Sequence, residues 1–571
     1  MQAKGIPIRL MRNGSSSNRI YMYRYVNFIP AGLFLLLSFS SSMALPPSGQ
    51  ARHLTVTNHQ LPVLVNKKQN PVMSIMLYAD VGGGFRLEEL TLDFTGTDRL
   101  ADIRAVRIFR TPRLKKFDTT DLVGTVLSPS RKQVVRVGRG FSDTLRLWVS
   151  LELSPETDLQ HTFRIICPGV LTDQGLTIKA PPAGPVILRA GVALRRHQQD
   201  GVHTHRIPGL VTTPRGTLLA VYDARRASSR DLQGDIDIGL SRSTDGGRTW
   251  EPMQVVLDMK QWGGLPEKFN GVSDANILVD ERTGEVYVAG LWMHGVLDAR
   301  GLPIGGLDTG SLAWNHQWRD RGSQPGYDPR HSAQFLITKS RDDGRTWGAP
   351  VNLTSLKDSS WWLWAPAPGH GITLRDGTLV MPTQGRDAAG TSFSNLTYSR
   401  DSGRSWQISR PARFQTSECM AAELSDGGIM LNMRSRLNRT DTGATNGRAI
   451  SVTHDMGETW TVHPGSSGAL IEPACMASLH RHDLTTSGRV RSILFFSNPS
   501  SKTARVDMTI KASLDDGATW PRDKWLLLDE MNSRGYSCLT SVDKHTLGIL
   551  YESSQADLVF QQISLRRWLG P

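Results

Sequence analysis

The sequence predicts an all-β protein: a six-bladed β-propeller preceded by a small β-sandwich domain. Three observations lead there. An eight-residue motif ending in tryptophan recurs five times over the C-terminal two thirds of the chain. A turn followed by an apolar strand recurs six times over the same stretch. Ahead of both, residues from about 52 to 187 show short segments alternating apolar and polar side chains, the period of a strand with one face buried. Composition agrees: 54 Gly, 30 Pro and 15 Trp in 571 residues suit many strands and turns and argue against a helix bundle.

Taken in order, residues 1–44 read as a signal peptide. A basic stretch without acids leads into an apolar run from Phe28 to Phe39, and Ser42-Met43-Ala44 supplies the small residues of a cleavage site. The run is well short of the roughly 20 residues a spanning helix needs. No stable membrane span is expected, and the chain reads as exported, periplasmic or secreted. Five of the positive charges behind the formal net +13 lie in this leader. The remaining excess suits an anionic partner, but no concentrated basic run marks a nucleic-acid surface, so no nucleic-acid partner is expected. Cys167, Cys419, Cys475 and Cys538 are far apart and form no CxxC, which disfavours a disulfide scaffold and a zinc site. No metal and no cofactor are expected.

Residues 50–187 are assigned to the β-sandwich. Its clearest strand interleaves Leu145, Leu147, Val149, Leu151 and Leu153 with Arg146, Trp148, Ser150 and Glu152. The segment runs into Ala180-Pro181-Pro182-Ala183-Gly184-Pro185, the composition of a linker. Carbohydrate binding and a docked spacer are both open as its role.

Residues 188–571 carry the repeats. The five boxes are Ser243–Trp250, Ser340–Trp347, Ser399–Trp406, Thr453–Trp460 and Ser513–Trp520, with Trp-to-Trp spacings of 97, 59, 54 and 60. Their pattern, S/T-x-D-x-G-x-T/S-W, is that of a tight hairpin. The carboxylate and hydroxyl bond turn amides, the glycine takes φ > 0, and the tryptophan plugs the base. These Asp residues are therefore structural. The second repeat places turns at Arg215-Gly216, Thr283-Gly284, Asp376-Gly377, Asp426-Gly427, Ser487-Gly488 and His545, each before an apolar strand. Six units of about 60 residues in an all-β chain mean a propeller of four-stranded blades. One blade lacks a box.

Charged residues recur at corresponding places in these units. Arg225 follows the first unit's apolar strand and Arg434 the fourth's, Arg505 lies in the loop after the fifth's, and Glu552 follows the sixth's. Equivalent strand ends converge at one end of a propeller's axis, so these charges are expected in one pocket. Together with the boxes, His205-Arg206-Ile207-Pro208-Gly209-Leu210 and Gly535-Tyr536-Ser537 resemble the bacterial exo-α-sialidases (neuraminidases), some of which also carry an N-terminal sandwich.

The resemblance implies a residue set. Arg206, Arg434 and Arg505 match the three arginines that grip the sialic acid carboxylate, and Tyr536 the nucleophile. Glu418 matches the glutamate paired with that tyrosine, and Asp231 the acid/base. Glu552 matches the acid that braces the first arginine, while Asp274 and Arg225 resemble further pocket residues. His205 stands where many members have an aromatic. The implied partners are sialylated glycans, and the implied reaction is retaining hydrolysis through a covalent tyrosyl intermediate. A neutral tyrosine is not repelled by the substrate carboxylate, as a carboxylate nucleophile would be. Its hydroxyl, of pKa near 10, needs a base. A trans-sialidase, or a variant forming anhydro-sialic acid, would share these residues. A non-catalytic sialoglycan-binding propeller would be expected to keep the arginines and lose Tyr536, Glu418 or Asp231. Linkage preference and oligomeric state are not encoded in any motif found.

Overall fold

A computed structural model of the chain describes residues 51–79, 84–111, 116–141, 144–181, 184, 186–294, 296–300, 302, 304–316, 322–486 and 489–570. The expected signal peptide, Pro182, Ala183 and Pro185 of the linker and the Ser487-Gly488 turn lie outside the described residues. The protein is predominantly β. Among the described residues the one α-helix is Leu565–Leu569, and no helix is long and apolar enough to cross a membrane.

Two antiparallel sheets come first. One runs in the order Ala51–Asn58, Asn70–Ala79, Thr144–Leu153, Ile103–Thr111, Leu122–Leu127. The other runs Thr177–Lys179, Ile166–Thr172, Phe85–Asp93, Lys132–Phe141. Ile75, Val106 and Leu147 from the first and Leu90, Val135 and Val170 from the second share one apolar cluster. Thr144–Leu153 departs from simple alternation, because Trp148 and Ser150 are buried too. The strand is central in its sheet, and its second face is also covered: Trp148 stacks on His59 at 5.1 Å and Ser150 Oγ donates to Gln69 at 3.1 Å.

Six antiparallel units of four strands follow. The first is Thr204–Thr212, Leu218–Arg225, Ile236–Ser243 and Gln254–Leu257. The second is Gly271–Val279, Val286–Met293, Gln334–Ser340 and Val351–Asn352. The third begins with Leu363–Pro366 and continues through Leu379–Arg386, Ser392–Ser399 and Gln407–Ile408. The fourth is Thr416–Glu423, Ile429–Ser435, Ala449–Thr453 and Thr461–Val462. The fifth is Ser478–Thr486, Arg489–Pro499, Met508–Ser513 and Trp525–Asp529. The sixth joins Ser537–Asp543, Thr546–Tyr551 and Leu558–Ser564 to Leu188–Arg195, drawn from far upstream. That borrowed outer strand explains the missing box: where the other units turn back through a box, this one pairs with Leu188–Arg195.

Each box links a third strand to a fourth with the bonds its residues allow. Ser243 Oγ donates to Asp245 at 2.8 Å and accepts the Gly247 N–H at 2.8 Å, while Asp245 receives the Thr249 N–H at 3.0 Å. The same bonds recur at Asp342, Asp401, Asp455 and Asp515. Hydrogen bonds from the turn's own hydroxyl and amides, led by Thr346, Ser405 and Thr459, hold Asp342, Asp401 and Asp455 at about 2. These carboxylates are committed to their turns.

First strands of neighbouring units touch. The Leu210 N–H donates to Cys538 Sγ at 3.2 Å, the Leu539 N–H to Ser478 Oγ at 2.9 Å, and Asn276 Nδ2 to the Ala367 carbonyl at 2.7 Å. A Cβ on Gly209 would stand 2.5 Å from the Gly369 carbonyl oxygen, so the chains approach too closely there for any other residue. Burial pushes the Cys419 and Cys538 thiols up to about 12, as expected of packing residues.

Candidate active site

Three first strands break register at corresponding places. Pairing slips between Arg206 and Gly209, between Ser273 and Asn276, and between Thr416 and Cys419. Such bulges re-aim side chains, and Ile207, Asp274 and Glu418 lie in these three. Ile207 and Asp274 have φ of +60° and +58°, a costly conformation for any residue but glycine. At Ile207 it is held by Glu552 Oε1, which accepts the Ile207 N–H at 3.1 Å.

Glu552 gathers the first arginine and the tyrosine. Its carboxylate receives Arg206 Nε at 2.8 Å, Arg206 Nη2 at 3.1 Å and the Tyr536 N–H at 2.9 Å. Burial raises this carboxyl, but Arg206 and the amides outweigh burial and hold it below the usual range. Tyr536 Oη donates to Glu418 Oε1 and accepts from Arg434 Nη1 at 3.2 Å. Arg434 Nη1 also bonds the other Glu418 oxygen at 2.5 Å. The Arg206 and Arg505 guanidiniums stand 5.3 and 5.6 Å from the Tyr536 ring centre. Arg505 is steadied by the Arg534 carbonyl at 2.7 Å. Gly535 makes this crowding feasible. Its φ is +86°, and a Cβ would meet Pro499 Cγ at 2.8 Å and Arg505 Cδ at 3.1 Å. Burial and the Glu418 charge push the Tyr536 hydroxyl well above its ordinary value, with Arg434 and Arg505 pulling the other way.

Asp231 approaches from the loop after Leu218–Arg225. Its Oδ1 accepts from Arg225 Nη2 at 2.6 Å and its side chain is 64% exposed. Crowding on its inner side raises its carboxyl, but Arg225, Arg206 and Arg434 together outweigh this and hold it below the usual range. Asp231 thus lies within the combined field of these three arginines. Arg225 is buried, and its donors are taken by Asp223, Asp231 and the Ser229 carbonyl, so the structure places it beneath the Asp231 loop. Asp274 is buried beside Asp223, whose Oδ1 accepts the Asp274 N–H at 3.0 Å. Burial, and then the charges of Asp223, Asp231 and Glu418, push the Asp274 carboxyl well above the usual range. All nine residues singled out from sequence thus come to one region. Six of them (Arg206, Arg434, Arg505, Tyr536, Glu418 and Glu552) form one connected cluster.

Comparison with known proteins is decisive at this point. Residues 216–549 match the family model described as a BNR repeat-like domain, and residues 51–123 match the N-terminal domain of BNR-repeat neuraminidase. The chain is 38% identical to a sialidase of Bacteroides fragilis over 94% of this chain and 98% of that one. The chain belongs to the BNR-repeat neuraminidase family. As a member of these sialidases it is a glycoside hydrolase. It is also 32% identical to a sialidase of Micromonospora viridifaciens, over 68% of this chain and 56% of that one. The solved structure of Hadza microbial sialidase Hz136 superposes with a TM-score of 0.80 at 36% identity, covering 90% of this chain and all of that one.

Sequence reasoning missed the residues that brace this sialidase's site. Asp223 receives Arg225 at 3.0 Å and Ser273 Oγ at 2.6 Å and so ties the Asp231 loop to the Asp274 bulge. Its only signal was its place two residues before Arg225. On the far side of the site, the buried Arg448–Glu472 pair at 2.6 Å holds the chain after Arg434, since Glu472 Oε1 accepts the Ser435 N–H at 2.8 Å and Asn438 Nδ2 at 2.7 Å. Glu472→Ala should lower stability by about 3–5 kcal/mol, because it leaves a buried guanidinium unpaired. Urea unfolding checks this, and a loss under 1 kcal/mol would contradict it. Trp364 is core, stacked on Phe335 at 4.3 Å, while Trp362 is tied to the Ala388 carbonyl at 3.1 Å.

Proposed function

We propose that the chain is a retaining exo-sialidase that removes terminal sialic acid from glycoproteins, glycolipids and oligosaccharides through a covalent tyrosyl intermediate. The observation that carries this reading is the hydrogen-bonded set Tyr536–Glu418–Arg434, flanked by Arg206 and Arg505. On this reading the six units are the blades of a propeller and the site sits at one end of its axis. The two N-terminal sheets are a sandwich. Bonds such as His59 Nδ1 to Glu530 at 2.8 Å and Lys67 Nζ to the Gln555 carbonyl at 3.1 Å favour a docked support. The basic-then-apolar leader favours export.

In the first step Arg206, Arg434 and Arg505 hold the substrate carboxylate, and the anomeric carbon lies over Tyr536. Glu418 takes the Oη proton as Oη attacks that carbon. Protonated Asp231 gives its proton to the glycosidic oxygen as the bond to the leaving sugar breaks. In the second step the Asp231 carboxylate takes a proton from water, whose oxygen attacks the anomeric carbon. The bond to Oη breaks, and Glu418 returns the proton. Two displacements retain configuration. Incubation with 2,3-difluorosialic acid should add one sugar to the peptide containing Tyr536. A label on Asp231 or Glu418, or none with an active enzyme, counts against this mechanism.

Arg434→Ala should lower kcat/KM by about 1.5–3 kcal/mol through loss of charge-assisted bonds. Methyl esterification of the substrate carboxylate should then matter much less to the variant than to the wild type. Equal discrimination by both proteins would remove Arg434 from the carboxylate site.

A further inference from the structure

The first interval between box tryptophans, Trp250 to Trp347, runs 97 residues where the other three run 54 to 60. Part of this extra chain is bonded to the Asp231 loop. Within it, Val296–Leu297 pairs antiparallel with Asn315–His316, a two-residue ladder outside the four strands of the second unit. The ladder is anchored on one side. Lys268 Nζ donates to the Thr309 carbonyl and, at 2.9 Å, to that of Ser311, and Phe269 meets the Trp314 ring edge-on at 4.6 Å. Gln233, two residues after Asp231, closes on the chain at Trp314 and His316. Its Nε2 donates to the Trp314 carbonyl at 3.2 Å, and its Oε1 accepts the His316 N–H at 3.2 Å. A carbonyl and the N–H two residues on face the same side of an extended chain, so one side-chain amide serves both, as the peptides of a neighbouring strand would. His316 adds a bond from Nε2 to the Gly234 carbonyl at 3.3 Å. Its ring is buried, which holds its pKa down at about 4, so it is neutral and carries its proton on Nε2. Its Nδ1 has no hydrogen-bond partner among the described residues.

Three bonds thus fasten Gln233 and Gly234 directly behind Asp231. The bend between them has little slack: Leu232, at φ +47°, is buried with Leu291, Met293 and Leu363. Asp231 itself is mostly exposed and bonded to Arg225, so the placement of its backbone depends on these neighbours. A general acid works only within hydrogen-bond reach of the oxygen it protonates, and a displacement of about 1 Å can cost about 10²-fold.

We propose that Gln233 and His316 are positioning residues for the acid: the extra edge of the second unit holds the loop and thereby sets where the Asp231 carboxyl meets the leaving oxygen. The inference rests on the reading of Asp231 as the acid/base. Gln233 and His316 then matter to a substrate in proportion to its need for the proton.

The test compares kcat/KM of the wild type, Gln233→Ala, His316→Phe and Asp231→Ala on sialyllactose and on methylumbelliferyl sialoside. This rate constant covers the steps up to departure of the leaving group, so it reports the acid and not the later attack of water. Phenylalanine keeps a ring against Trp314, 5.0 Å from the His316 ring, and removes only the bond to Gly234. Gln233→Ala and His316→Phe should each lower the constant on sialyllactose by about tenfold or more and leave the aryl sialoside within about threefold. In an Asp231→Ala background, Gln233→Ala should change sialyllactose cleavage by less than about twofold, because no acid remains to be placed. Equal falls on both substrates in both variants, no fall in either, or a further tenfold fall in the Asp231→Ala background would overturn the brace. If Asp231→Ala separates the substrates and the two brace variants do not, the brace alone fails. If Asp231→Ala itself damages both substrates equally, the acid/base reading fails, and the brace with it.

Discussion

Tyr536→Phe should abolish turnover of every sialoside, by at least about 10³-fold in kcat, while leaving the fold intact. Phenylalanine keeps the ring between Arg206 and Arg505. What it removes is the oxygen that donates to Glu418 and accepts from Arg434. The loss should be similar for natural glycans and for aryl sialosides, because both need the same attack on the anomeric carbon. Circular dichroism and the melting temperature should stay near those of the wild type. Activity above a few per cent on either substrate would mean that another group attacks.

Asp231→Ala should separate substrates that Tyr536→Phe does not. A natural glycan leaves as a poor alkoxide and needs a proton, so its hydrolysis should fall by roughly 10²–10⁴. Methylumbelliferone leaves as a stable anion, and its first release should survive as a burst. No burst, with equal damage to both substrates, would overturn the assignment. The pH profile adds a sign. Asp231 must be protonated to give its proton, so the first step fails as pH rises through its pKa. In the free enzyme Arg225, Arg206 and Arg434 hold that carboxyl low. A bound substrate carboxylate cancels part of their field and raises it. The basic limb of single-turnover cleavage at saturation should therefore lie at higher pH than that of kcat/KM, and Asp231→Ala should lose the difference.

The repeats were legible because each box is a local device. Ser, Asp, Gly and Thr bond within eight residues, so spacing alone reveals the turn. Arg434 and Glu552 were legible for a related reason, since repetition fixes which strand ends correspond. Asp223, Arg448 and Glu472 were not. Arg448 and Glu472 pair across 24 residues of chain, and only packing shows that Asp223 serves Ser273 as well as its strand neighbour Arg225. Arg225 shows the limit of position alone: its place at a strand end put it in the right region, but burial decides that it works beneath Asp231. The bulges left no trace in residue pattern, because Ile207 and Asp274 take left-handed backbone without being glycine.

The pairing of Val192 with Phe560 has a consequence for how the molecule folds and persists. The sixth unit is incomplete until segments more than 360 residues apart meet, so its closure is a late, high-contact-order event with a large entropic barrier. Once Leu188–Arg195 is zipped onto Leu558–Ser564, opening the unit requires its strand-to-strand bonds to break together. No unit at the seam can peel away without breaking a full strand ladder. The seam is thus a clasp whose opening rate sets the lifetime of the sixth unit, and strand-to-strand bonds at Val192 and Ala193 should be among the last amides to exchange with deuterium.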